Sequence, residues 1–276
     1  MSILIVDAGS TKTDWIALEN GTVTHHVTTR GFNPNYADPK ALPEILKELP
    51  ADLPVMEAVY YYGSGCGTEA NQNMVRCCLK ASFKKAEIHV THDLMAVCHA
   101  VLGHDKGIAC ILGTGANSCL YDGNDITERA VSLGYLLGDE GSGCYIGRKL
   151  VRAYFYDLMP LELKLSFHLA YHLEINEFIK RVYHEPEASK YLAGFTKFAG
   201  EHLAHPYIQK LIKDSFSDFI QAFVLRYTDC RSLTVNFVGS VAFAFQDLLR
   251  ESLEAEGLIL GKVMQSPAEG LIQMYS

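Results

Sequence analysis

Ile3-Leu4-Ile5-Val6-Asp7-Ala8-Gly9-Ser10-Thr11-Lys12-Thr13 opens the chain as an aliphatic run that ends in a carboxylate and a turn of small residues. Its β-branched residues predict a strand through Val6, and Trp15-Ile16-Ala17-Leu18 resumes apolar character beyond the turn. Glu19-Asn20-Gly21-Thr22 then closes a second turn, and an Asn-Gly pair is a strong hairpin signal. About 106 residues further on the same grammar returns. Ala109-Cys110-Ile111-Leu112 leads into Gly113-Thr114-Gly115-Ala116-Asn117, Ser118-Cys119-Leu120-Tyr121 follows, and Asp122-Gly123 supplies the turn. Two copies of strand, small turn, strand and turn, each near the start of a half-chain, suggest a duplicated domain. Two unrelated hairpins would look alike locally.

Helical and extended periods fill the space between and beyond the copies. Val75, Cys78, Leu79, Ser82 and Phe83 recur at helical spacing within Thr68–Ala86, and a helix from Asp93 carries Val97, Ala100 and Val101 to a stop at Gly103. Ala58–Tyr62, with Tyr60-Tyr61-Tyr62 alternating faces, and Ile88–Thr91 fit strands. This mixture predicts an α/β first half. After Gly134 the chain becomes strongly helical: Ile146, Leu150, Val151 and Tyr154 form one stripe, and Leu161–Leu173, Ile175–Tyr183 and Tyr207–Tyr227 read as further helices. A strand over 233–238 ends at Gly239-Ser240, a helix runs from Val241 to Glu256, and a strand over Leu258–Met264 precedes a short helix after Pro267.

Composition narrows the class of partner. Apolar residues make up 49% of the 276 and charged residues 20%, ample for buried cores and contrary to disorder. Lys plus Arg number 24 against 32 Asp plus Glu, a net charge of −8. That balance argues against nucleic acid or an anionic membrane surface as the main partner. No apolar stretch approaches the roughly 18 residues of a membrane helix, and Asp7 interrupts the first aliphatic run too early for a secretory leader. A cytoplasmic protein is the expectation. The eight cysteines contain no C-x-x-C pair and sit mostly among apolar neighbours, as buried reduced thiols do. His168 and His172 stand four apart but lack the glutamate of an H-E-x-x-H metal motif.

Three segments have the makings of a ligand site. In the first turn, Gly9, Ser10, Thr11, Lys12 and Thr13 are residues whose backbone amides and hydroxyls could face an anion. It is not a Walker A loop, and a hairpin with a structural glycine would read the same way. The second turn, with Gly113, Thr114, Gly115 and Asn117, has the same properties. The third, Phe237-Val238-Gly239-Ser240-Val241-Ala242, lets a flat ligand approach backbone at Gly239 and Ser240, or is an ordinary strand-to-helix joint.

Together these segments resemble the phosphate-1, phosphate-2 and adenosine motifs of the sugar kinase, Hsp70 and actin superfamily. The closest resemblance is to its BadF/BadG-type ATPase family, in particular the N-acetylglucosamine kinase-like members. Gly31-Phe32-Asn33-Pro34, Tyr62-Gly63-Ser64-Gly65, Thr91-His92-Asp93 and the run Gly134–Ser142 fall where that family has its landmarks. Ala8 departs from the pattern, standing where the family often has glycine. The resemblance spans nearly the whole chain. It implies two ribonuclease H-like (actin-like ATPase) domains flanking a nucleotide and substrate cleft. The first covers 1–104, with a C-terminal helix over about 266–276 packing back on it; the second covers 105–265 and includes a helical insertion.

The same resemblance implies ATP-dependent phosphorylation of the 6-hydroxyl of N-acetylglucosamine or a related amino sugar. ATP and Mg²⁺ are the implied cofactors, a small sugar the partner, and a homodimer a further expectation. Asp93 is then the base that takes the hydroxyl proton, although aspartate at a helix start is also a cap. Asp7 would hold magnesium through water. Asn33, Ser64, Gly134 and Asp139 would contact the sugar, with a turn residue and a helix cap as the plain readings of Asn33 and Asp139. Two other functions fit the motifs: an ATPase activator of an iron–sulfur enzyme, for which Cys144 lacks a clear second ligand, and a non-catalytic sugar or nucleotide sensor.

Overall fold

The computed structural model describes residues 1–10 and 12–276, and Thr11 lies outside them. The chain divides into two units, Met1–His104 with Ser266–Ser276, and Asp105–Gln265.

In the first unit, β1 (Ser2–Ala8) and β2 (Lys12–Glu19) form the first hairpin, and β3 (Thr22–Arg30) extends it. α1 (Ala41–Leu46), β4 (Ala58–Gly63), α2 (Glu69–Ser82), β5 (Glu87–His92) and α3 (Asp93–Val101) follow. The sheet order is β3-β2-β1-β4-β5, with β1, β4 and β5 parallel and β2 and β3 antiparallel to their neighbours. Ile3 to Val6 are buried on both faces, as an unbroken aliphatic run requires of a central strand. β3 has no such signature. Its Thr- and His-rich sequence leaves all but Thr29 of its residues partly or fully exposed, as an edge strand tolerates.

The second unit repeats this plan. β6 (Gly107–Leu112), β7 (Ala116–Tyr121) and β8 (Ile126–Arg129) make the antiparallel part, and β9 (Thr234–Val238) and β10 (Ile259–Met264) lie parallel to β6. The order β10-β9-β6-β7-β8 mirrors the first sheet strand for strand. Between β8 and β9 come α4 (Gly134–Leu137), α5 (Gly143–Phe155), α6 (Leu161–Tyr171) and α7 (Ile175–Tyr183). They are followed by α8 (Ala188–Gly194), α9 (Thr196–Glu201) and α10 (Pro206–Phe219).

Two expected helices are broken. The one read over Tyr207–Tyr227 leaves α-geometry after Phe219 for a π-helical turn, Ile220–Val224, in which Ile220, Phe223 and Val224 stay buried. The added residue keeps the apolar side facing the core, so periodicity cannot reveal it. The one read over Val241–Glu256 divides at Phe245 into α11 (Ser240–Ala244) and α12 (Gln246–Ala255).

The C-terminal helix, Ala268–Tyr275, packs on α3. Gly270 permits the approach, since a Cβ there would collide with the Ala100 carbonyl oxygen. The Tyr275 hydroxyl lies 2.6 Å from that of Tyr62, which is 2.7 Å from His99 Nδ1. Burial, with the nearby His104, lowers the His99 pKa to about 4, so a neutral ring makes this bond. Deleting Pro267–Ser276 would remove the fully buried Leu271 and uncover the face of α3 at Ala100 and the Tyr62–His99 pair, a loss of about 3 kcal/mol or more from apolar area alone. Amide exchange should then accelerate across α3 first, and unchanged protection there would refute the dependence.

Candidate functional site

Parallel strands deliver their chemistry where they end. In the first sheet those ends are Asp7 and Ala8 on β1, Gly63 followed by Ser64 after β4, and His92 followed by Asp93 after β5. Backbone bonds tie the edge together: Ser64 N–H donates to the Ala8 carbonyl at 2.8 Å, and Phe32 N–H to that of Gly9 at 3.2 Å. Gly9 N–H itself closes the turn on the Lys12 carbonyl at 2.9 Å.

Asp93 is the first residue of α3, behind the cap position His92. One carboxylate oxygen accepts the Leu94 N–H at 2.9 Å and the other the Ser64 hydroxyl at 3.0 Å. The helix-start role therefore uses one oxygen and leaves the second aimed at the β4 end. Asn33 donates to Ser10 Oγ at 2.9 Å while its oxygen accepts from Asn35 N–H at 3.0 Å. It is both a turn residue and a neighbour of the first turn. Gly65, at φ +81°, has the Asn33 side chain where a Cβ would stand.

The two acids of the first hairpin differ sharply. Asp14 receives Lys12 Nζ at 2.7 Å and Thr28 Oγ1 at 2.6 Å. Burial opposes its charge, but these bonds with the Lys12 and His26 charges hold its pKa below the usual carboxylate value. Asp7 faces the opposite balance: burial, then the negative field of Asp14, push it up to about 7 against a smaller pull from Lys12. A carboxylate so poorly satisfied fits a cation. No group of three or more His, Cys, Asp or Glu side chains that could hold a metal occurs among the described residues; Mg²⁺ usually keeps water and phosphate ligands beside one or two carboxylates.

In the second unit the Gly113–Gly115 turn closes through Gly113 N–H on the Gly115 carbonyl at 3.1 Å. α5 docks on it, Gly143 N–H donating to the Gly113 carbonyl at 2.8 Å and Cys144 N–H to that of Thr114 at 3.1 Å. Asn117, on β7, turns its oxygen to Ser118 N–H at 2.9 Å. Gly239, at φ +137°, presses on β6 so closely that any Cβ would strike the Leu112 carbonyl oxygen. That contact sets Ser240 beside the second turn: Gly113, Thr114, Ser240, Val241 and Phe245 line one cavity of about 690 Å³.

Asp139 is 8% exposed, in left-handed geometry at φ 57°, and accepts from Ala116 N–H at 3.3 Å. The α5 cap is Ser142, whose hydroxyl accepts Tyr145 N–H at 3.2 Å, so Asp139 does not cap this helix. Burial raises the Asp139 pKa, opposed by the Ala116 amide and Arg148 and reinforced by Glu140. Gly134 begins α4 at φ +68° with open space around it.

The structure thus gathers Asp7, Gly9, Ser10, Asn33, Ser64 and Asp93 at one sheet edge, and Gly113, Thr114, Gly115, Asp139, Gly239 and Ser240 at the other. Thr11 lies outside the described residues. Lys12 points to Asp14, and the buried Thr13 hydroxyl has no partner among the described residues. Sequence reading missed Thr196, whose hydroxyl donates to the Gly143 carbonyl at 2.7 Å, and the cavity cations Lys190 and Lys197. These come from the helical insertion, where no motif marks them.

Neither the family models nor the curated proteins gave a match. Solved structures did. The chain is 40% identical to a candidate N-acetylglucosamine kinase of Porphyromonas gingivalis, with TM-score 0.94 over 99% of this chain and 98% of that one. A second candidate N-acetylglucosamine kinase, from Chromobacterium violaceum, shares the fold at 17% identity and TM-score 0.63, covering 100% and 99% of the two chains. So does a ROK family glucokinase of Streptomyces griseus, solved with glucose and AMPPNP, at 14% identity and TM-score 0.59 over 99% and 98%. Two mixed five-stranded sheets of matching order, each ending in a glycine turn, define the actin-like ATPase and sugar kinase class. Within it, the chain belongs to the sugar kinase family of the Porphyromonas protein.

Proposed function

We propose that the protein transfers the γ-phosphoryl group of ATP to the 6-hydroxyl of N-acetylglucosamine or a closely related amino sugar. The observation that carries this reading is Asp93, a carboxylate at the carboxyl edge of the first sheet, oriented by two donors, Ser64 Oγ and Leu94 N–H. Held in that way it can take the acceptor's proton as the phosphoryl group arrives. The sugar itself is suggested by the 40% identical relative's description and by the BadF/BadG-type resemblance of Gly31–Pro34 and Gly134–Ser142.

The remaining residues bind and position. The two glycine turns cradle the phosphates with backbone N–H groups, and the cavity beside Gly239 and Ser240 accommodates the nucleoside. Asn33, Ser64, Gly134 and Asp139 hold sugar hydroxyls or the acetamido group. Asp7 is the residue to hold magnesium. Bound there with ATP, the ion would neutralise charge developing on the transferred group. The domains proposed for this work are 1–104 with 266–276 and 105–265.

ADP release measured across a panel of sugars tests the reading. Turnover should depend on N-acetylglucosamine or a close analogue, and sugar-independent ATP hydrolysis would overturn it. Gly115→Val provides a second test. A Cβ at Gly115 lies 3.0 Å from Asp139 Oδ2, so the branched side chain must push aside the turn or the carboxylate. ATP affinity by calorimetry should fall at least tenfold, about 1.4 kcal/mol. A folded variant with unchanged affinity removes the second turn from the phosphate site.

A further inference from the structure

We propose that Arg148 is a positioning residue for sugar binding: its guanidinium holds the segment Tyr135–Gly138, and with it Gly134 and Asp139, in the place from which they contact the sugar. The proposal rests on the assignment of Gly134 and Asp139 to the sugar. Core packing does not fix this segment. α4 has no buried residue, and Leu133, Leu136 and Leu137 are 61–76% exposed. A stretch with so few buried apolar contacts keeps its place through polar bonds.

One side chain of α5 supplies three of them. Arg148 Nη1 donates to the Tyr135 carbonyl at 2.5 Å and to that of Leu136 at 3.1 Å, and Nη2 donates to the Gly138 carbonyl at 3.2 Å. A helix as short as α4 leaves such carbonyls without partners of its own, and the planar fork of an arginine can serve several at once. The arginine is itself seated. Its guanidinium lies 5.2 Å from the centre of the Tyr145 ring, within cation–π range, and the Tyr145 hydroxyl donates to Asp218 at 2.8 Å. α5 is a firm base for it: Ile146, Leu150 and Val151 are buried, and a Cβ at Gly147 would overlap the Leu192 carbonyl oxygen of α8. The start of α5 docks on the second turn through the Gly143 and Cys144 N–H groups, a contact that does not involve Arg148.

The same guanidinium acts on Asp139 through its charge. Burial raises the Asp139 pKa and Glu140 beside it adds to the rise, while the Ala116 amide and Arg148 oppose it. Cys144, which also feels the Asp139 charge, is pushed up to about 11 chiefly by burial and is neutral near pH 7. Arg148 therefore favours the ionised carboxylate, the form with free lone pairs for a sugar hydroxyl.

Calorimetry of the full chain with N-acetylglucosamine and with Mg–ADP, on the wild type, Arg148→Ala and Arg148→Lys, tests this. In Arg148→Ala the sugar affinity should fall at least tenfold, as the loss of charged hydrogen bonds implies, while Mg–ADP affinity stays nearly unchanged. Millimolar guanidinium should recover part of the loss, and sodium chloride of equal ionic strength should not. Arg148→Lys, which keeps the charge without the fork, should fall between the two, and the acid limb of sugar binding should move to higher pH in Arg148→Ala. Unchanged sugar affinity, an equal loss of Mg–ADP affinity, or no recovery with either guanidinium or lysine would overturn the proposal. Should Arg148→Ala melt too low to titrate, Arg148→Lys carries the comparison, and wild-type sugar affinity in it would overturn the proposal. Amide exchange, measured without sugar, separates the two readings. Faster exchange over 134–139 in Arg148→Ala, in a protein whose wild type binds no N-acetylglucosamine, would fault the sugar assignment, whereas unchanged exchange there would fault the role of Arg148.

Discussion

Asp93→Asn should give a folded protein that still binds sugar and nucleotide but turns over about 10²-fold more slowly, or slower still. The substitution is unusually clean here. The amide oxygen can go on accepting the Leu94 N–H, and the amide nitrogen can donate to Ser64 Oγ in place of accepting from it. Shape, helix start and the tie to the β4 end therefore survive, and only the capacity to take a proton is lost. An interaction needed chiefly in the transition state lowers kcat and kcat/KM together while leaving ground-state binding nearly intact. If Asp93 served only the helix, asparagine would serve about as well, and kcat would hardly change. Melting temperature, sugar affinity and kcat measured on one preparation separate the two roles. A folded variant with near-normal kcat returns Asp93 to structure alone.

What could be read from the sequence depended on how locally each feature was encoded. The doubled hairpin was legible because Ile3–Val6 and Ala109–Leu112 are buried strands, and buried strands must be apolar without interruption. β3 and β8 were not, since edge strands keep polar faces and leave no such record. The break at Phe245 and the π turn at Ile220 left the apolar pattern intact while altering the geometry. Asp139 looked like a helix start because Asp139-Glu140-Gly141-Ser142 contains two possible caps, and only the fold shows that Ser142 takes the role. The candidate site was legible where a motif is contiguous, as at Gly113–Gly115. Ser64 and Asp93 could each be named from their own motifs, but the hydrogen bond that joins them across 29 positions could not, nor could that of Thr196 to Gly143 across 53.

Asp7→Asn should divide stability from binding, in opposite directions. Burial and the Asp14 charge raise the Asp7 carboxyl from 3.8 to about 7. Between those values the native protein holds a proton that the unfolded chain has released. Stability therefore falls as pH rises from about 4 to about 7, and the full penalty stands above 7. A shift of about three pH units corresponds to as much as about 4 kcal/mol. Asparagine carries no charge at any of these pH values, so the variant should melt higher than the wild type at pH 8, with the gap closing by pH 4. If Asp7 holds the metal as proposed, magnesium should reverse the ranking. A divalent ion at Asp7 favours the ionised carboxylate, so Mg–ATP should raise the wild-type melting temperature near neutral pH and release protons as it binds. The variant should show little of either effect and no measurable turnover. Thermal scans from pH 4 to 8 with and without Mg–ATP, together with calorimetry in buffers of different ionisation enthalpy, measure each part. Parallel pH profiles for the two proteins would mean that Asp7 is ionised at little cost in the free protein. A variant that still gained the full Mg–ATP stabilisation would place the metal elsewhere.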